Sequence, residues 1–109
     1  MISIGVDAHK GAHVAVALDA GDQVCGQWQG ANSAEGWAGM HAWAQGLGDE
    51  RRWGIKGAWN YGRGVAQHLV AAGEAVCALN ARWTAAERRR ARNRSTSDLR
   101  DAPAIALYV

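Results

Sequence analysis

This sequence predicts a single α/β domain, spanning residues 1–109, built on a mixed five-stranded sheet. Three observations predict it. Three consecutive runs with alternating apolar residues open the chain. Two stretches with apolar residues at helical spacing follow, separated by a short apolar run. A continuously apolar run, 75–79 (AVCAL), comes after the second of them.

Each element follows from its local pattern. In residues 2–7 (ISIGVD), Ile2, Ile4 and Val6 fall on one face and Ser3, Gly5 and Asp7 on the other, giving a strand that ends in a carboxylate. Residues 12–18 alternate through Val14, Val16 and Leu18, Asp19-Ala20-Gly21-Asp22 is a turn, and 23–29 form a third strand. Short links make these three an antiparallel meander. Ser33 is a good N-cap for a helix carrying Trp37, Met40, Ala44 and Leu47, with Gly48 as its stop; Gly36, Gly39 and Gly46 weaken it. Residues 53–58 (WGIKGA) form a fourth strand. Tyr61, Val65, Leu69 and Ala72 mark a second helix, ended by Gly73. The run 75–79 reads as a buried parallel strand. A short helix reaching the C-terminus completes the order β-β-β-α-β-α-β-α, the layout of three-layer, ribonuclease H-like folds. Right-handed crossovers would set the fourth strand beside the first and parallel to it, bringing position 56 close to Asp7.

Composition narrows the function classes. At 49% hydrophobic and 20% charged residues the chain is globular, and 109 residues support one core but not a second domain. No apolar run approaches the roughly 18 residues of a membrane helix, and the N-terminus has no basic-then-apolar signal pattern. The expected compartment is a prokaryotic cytoplasm, without membrane association. Cys25 and Cys77 sit in apolar runs and read as small core residues in a reducing compartment. The net charge of +2 is unevenly spread: Arg82, Arg88, Arg89, Arg90, Arg92 and Arg94 oppose only Glu87, leaving the remainder slightly acidic. An Arg-rich segment over 82–97 suits a polyanion, and equally a solvated loop.

Three acids are candidates for chemistry. Asp7 lies at the carboxyl end of a strand, where ligands of open α/β sheets gather. Asp98 and Asp101, three apart, would share a helix face. Converging carboxylates need a cation, and hard oxygen ligands suit Mg²⁺ or Mn²⁺. Pro103 leaves two arrangements open. Asp101 as N-cap puts the proline in the permissive first turn but strands Asp98 outside the helix; a start near Ser97 leaves the proline uncomfortable. His9 and His13 have zinc-like spacing, but they fall in a turn and a strand, where that spacing loses its meaning. His41 and His68 lie in helical stretches without an obvious partner. Most of the six Trp residues read as core or core edge. Trp59 and Trp83 are the least explained, with packing the safer reading and base stacking the other.

These motifs resemble transposases of the insertion sequence 110 family, whose N-terminal domain is RuvC-like with an Asp-Glu-Asp-Asp tetrad. Ile4-Gly5-Val6-Asp7-Ala8-His9-Lys10 looks like the first motif, Gly54-Ile55-Lys56-Gly57-Ala58 with Tyr61 like the second, and Ser97-Asp98-Leu99-Arg100-Asp101-Ala102 like the third. The resemblance covers essentially the whole chain. It implies a DNA transposase or recombinase domain, with Asp7, Asp98 and Asp101 as metal-binding catalytic residues and Mg²⁺ or Mn²⁺ as cofactor. It also implies DNA as partner, with a structured guide RNA and self-association as further expectations. Two departures stand out. Lys56 occupies the glutamate position of the tetrad, and the sequence stops at Val109, before the family's serine-bearing C-terminal domain. The chain alone is therefore expected to be truncated and catalytically impaired. A non-catalytic DNA- or RNA-binding remnant is the nearest alternative, separated by metal-dependent strand cleavage. A lobe of an actin-like ATPase or sugar kinase also opens with a strand, an Asp and a hairpin, but needs a Gly-rich phosphate hairpin where this chain has His9-Lys10.

Overall fold

The computed structural model describes residues 1–79. They form strands β1 (Ile2–Ala8), β2 (Ala12–Leu18) and β3 (Val24–Ala31), helix α1 (Ala34–Gln45), strand β4 (Arg51–Lys56), helix α2 (Arg63–Ala71) and strand β5 (Ala75–Leu79). The five strands make one sheet in the order β3-β2-β1-β4-β5. β1 pairs antiparallel with β2 and parallel with β4, and β4 pairs parallel with β5. The meander and both crossovers are thus as the sequence predicts. The final helix expected there lies outside the described residues.

Register fixes the two faces. Ile4 lies abreast of Ala17 and Trp53, and Val6 abreast of Ala15 and Ile55. All six are buried and form one core with Met40 and Ala44 of α1 and Val65 and Leu69 of α2. Both helices therefore cover the same face of the sheet, which is why each needs only one apolar stripe. The opposite face carries a second buried cluster, Val14, Val16 and Leu18. Asp7 belongs to this face, abreast of Val14.

Element boundaries shift where capping decides them. Ser33 caps α1 as expected, its side chain accepting from Gly36 N at 3.2 Å. The helix ends at Gly46, not Gly48, because the last turn tightens to three-residue spacing, the Gly46 N–H reaching Trp43 O and the Leu47 N–H reaching Ala44 O. β4 begins two residues before the expected strand and closes at Lys56, because Gly57 turns away with φ +77°. Tyr61 precedes α2 and is half exposed. Gly73 ends α2 as expected, with φ +85°.

Two burial expectations are corrected. Cys25 and Cys77 are exposed rather than core. Among the described strands β3 and β5 are the edges, and Cys25 is the extra residue where the β2–β3 register shifts. An apolar run on an edge strand has fewer neighbours to bury it, so β5 is mostly exposed.

A polar centre fastens the amino-terminal ends of β4 and β5. Arg51 Nε and Nη2 donate to Glu74 Oε1 and Oε2, each at 2.9 Å, and Trp53 Nε1 donates to Oε1 at 2.8 Å. Arg51 Nη1 also donates to the Gly48 carbonyl. His41 Nε2 lies 3.6 Å from Glu74 Oε2, and the His41 ring meets His68 edge-on. The Arg51 hydrogen bonds hold the Glu74 carboxyl down at about 2, against the opposing effect of burial. His41 and His68 thus have partners that no local pattern announced.

A candidate cleft at the carboxyl end of the sheet

The parallel register of β1, β4 and β5 aligns their carboxyl ends, setting Asp7, Lys56 and Leu79 in one row across the sheet. Partners in register on adjacent strands point to the same face, with Cα atoms about 4.8 Å apart. Asp7 and position 56 are therefore direct neighbours, as right-handed crossovers required. The row opens onto a cleft of about 750 Å³ whose lining includes Asp7, His9, Lys56, Trp59, Asn60 and Tyr61.

Asp7 is only 3% exposed. His9 Nε2 lies 3.3 Å from its Oδ2, and the His9 N–H donates to Ala12 O at 3.0 Å, closing the β1–β2 turn. His13 takes the other face, abreast of Ala8, where its Nδ1 lies 3.0 Å from Ala12 O. Burial pushes the His13 pKa below the usual histidine value. The two histidines meet at the same Ala12 carbonyl, His9 through its backbone N–H and His13 through its ring, and His9 adds to the lowering of the His13 pKa.

The far wall is the loop 57–62. Gly57 O accepts from Asn60 N at 3.0 Å and from Gly62 N at 2.7 Å, and Asn60 Oδ1 accepts from Tyr61 N at 2.6 Å. A Cβ at Gly62 would stand 2.8 Å from Ile55 Cγ2 and 2.9 Å from Gly57 O, so the turn can close only on glycine. Asn32 ties the cleft together. Its Nδ2 donates to Lys10 O at 3.1 Å and Tyr61 O at 3.4 Å, while its Oδ1 accepts from Trp37 Nε1 at 3.1 Å. One side chain thereby joins the β1–β2 turn, the loop and α1. Sequence reasoning missed Asn32; the only signal was an amide just before the Ser33 cap.

Trp59 corrects another expectation. It is 87% exposed, whereas Trp53 is fully buried and Trp28, Trp37 and Trp43 pack against the core. The helix pattern starting at Tyr61 concealed a loop that lifts Trp59 off the sheet. Trp83, Asp98, Asp101 and the Arg-rich segment with Arg82, Arg88, Arg89, Arg90, Arg92 and Arg94 lie outside the described residues.

A family model of DEDD transposases of the insertion sequence 110 type matches residues 4–109. The chain belongs to that transposase family. No curated protein matches it. Transposases act on DNA, and this DEDD family is generally dependent on divalent metal. The α/β sheet with Asp7 at a carboxyl strand end is compatible with its ribonuclease H-like fold. Among the described residues of this transposase domain the cleft offers one acid and one lysine, while Asp98 and Asp101 lie outside those residues. Asp7 is the one carboxylate lining it, Lys56 stands abreast, and no group of three His, Cys, Asp or Glu residues converges. No described helix is long and apolar enough to cross a membrane.

Proposed function

We propose that this chain is a nucleic-acid-engaging N-terminal domain of a DNA transposase whose acidic site holds a lysine in place of a metal-binding glutamate, and which does not cleave DNA by itself. The register of Asp7 with Lys56 carries this reading. With Asp7, Asp98 and Asp101 as its acids, the site would total −2 with Lys56 and −4 with a glutamate there. At an effective dielectric of about 20, unit charges ~4 Å apart interact by about 4 kcal/mol, so an ammonium in this row competes directly with Mg²⁺ or Mn²⁺ for the carboxylate. Family membership supports DNA as the partner. The Arg-rich segment supports binding through the phosphate backbone, which a structured guide RNA would share.

The test measures affinity for short duplex DNA across a salt series, beside a strand-cleavage assay with Mn²⁺. Log K should fall with log salt at roughly −0.9 per phosphate neutralised. Replacing Arg88, Arg89 and Arg90 together by Ala should flatten that slope by about 2 or more. Cleavage by the unmodified chain, or a slope unchanged in the triple variant, would overturn the proposal.

A further inference from the structure

We infer that Trp59 is a stacking platform for an unpaired nucleic-acid base at the mouth of the Asp7 cleft, so that the domain takes single-stranded nucleic acid there in preference to duplex. This rests on the proposed engagement of nucleic acid and adds the strand form and the residue that reads it.

Three observations carry the inference. First, the indole is held in solvent by a built loop. Gly57 O accepts two backbone N–H groups across the turn, Asn60 caps Tyr61, and Asn32 fastens the loop to the neighbouring turn. An 87% exposed Trp on such a support forgoes burial of a large apolar ring and has little backbone disorder to suppress on binding. Second, Trp59 stands between two concavities. It lines the polar cleft with Asp7 and Lys56, and also a groove of about 470 Å³ with Arg63, Ala66, Val70 and Val76. Tyr61 and Val70 nearby are also exposed, so the ring belongs to an apolar patch rather than standing alone. Third, a cation is placed for phosphates. Arg63 lines the groove together with Trp59, on the side away from Asp7. An aromatic face beside a cation suits a strand whose bases are free to splay out, because every base offers a π-face and the phosphates follow the positive group. Bases stacked within a duplex do not present that face.

Fluorescence anisotropy with labelled oligo-dT, oligo-U and a short duplex tests this on the full chain and on Trp59→Ala, Trp59→Phe and Trp59→Tyr. Trp59→Ala should weaken oligo-dT or oligo-U binding roughly 5- to 100-fold while changing duplex affinity by no more than about 2-fold. Trp59→Phe and Trp59→Tyr should restore most of the loss, and the melting temperature of Trp59→Ala should stay close to that of the unmodified chain. A larger loss on oligo-U than on oligo-dT would identify RNA as the strand read; the reverse would identify DNA. Single-strand affinity unchanged in Trp59→Ala, with duplex binding intact, overturns the stacking role alone. Failure of the unmodified chain to bind any of the three probes overturns the nucleic-acid reading beneath it. Self-association lost in Trp59→Ala, with single-strand binding unchanged, would reassign the patch to contact between copies.

Discussion

Lys56 stands abreast of a carboxylate that is 3% exposed, so changing the charge at position 56 is the most direct test of the proposed site. A ligand that binds only the folded state stabilises it, by about 2.7 kcal/mol at a concentration a hundredfold above its dissociation constant. With a lysine in the row, Mn²⁺ should leave the melting temperature of the unmodified chain nearly unchanged. Lys56→Glu should behave in the opposite way. Without metal it should melt lower, because carboxylates crowd without a counter-charge. With saturating Mn²⁺ it should rise by several degrees, about 4 °C or more per kcal/mol in a domain of this size. Melting curves of both proteins with and without Mn²⁺ decide the matter. A large metal shift in the unmodified chain, or none in the glutamate variant, would remove Lys56 from the site.

Between elements, the strongest described tie is Glu74, which binds the start of β5 to β4 through Arg51 and Trp53 and lies beside His41 of α1. The folded-state pKa of about 2 lies below the ordinary carboxylate value of 4.5, so this tie is fully present above about pH 4.5 and is lost as pH falls towards 2. Glu74→Gln keeps the shape but loses the charge. It should cost about 2–4 kcal/mol near neutral pH and flatten the fall of stability between pH 4.5 and 2, as read by denaturant titration at each pH. None of this was legible in the sequence, because Glu74 bonds to residues 23 and 21 positions away and nothing local marks the pair. The strands were legible for the converse reason. Alternation in β1 and β2 is a local property that survives packing, and the crossover rule then set β4 against β1. Helix ends were less so, since the choice between Gly46 and Gly48 depends on which carbonyls the turning N–H groups reach. The Asp7 half of the candidate site could be read because a strand-end acid and crossover handedness suffice. For Trp59 the local pattern leaves packing and base stacking both open, and Asn32 carries almost no signal, because both depend on how the loop 57–62 closes.

For the described domain as a whole, the order β3-β2-β1-β4-β5 puts Asp7 on the central strand and leaves β3 and β5 at the margins. The sequence places cysteines on both margins, and both are exposed. Native chain should therefore give up both thiols to a thiol reagent before it unfolds, Cys25 more slowly than in the denatured chain because burial and Asp19 raise its pKa. Labelling that waits for denaturant would contradict the edge placement. The centre of the sheet has a different consequence. Because β1 and β4 run parallel and in register, the residue abreast of Asp7 is set by one codon, without any change in strand length or turn. Lysine and glutamate codons differ only at the first base, adenine against guanine. Lys56 is only partly buried, and the backbone that carries it is fixed by Ile55 within the core and by the turn at Gly57. A single transition could thus exchange ammonium for carboxylate while leaving the fold intact. Written in genetic terms, one letter sets whether the position abreast of Asp7 carries an ammonium or a carboxylate.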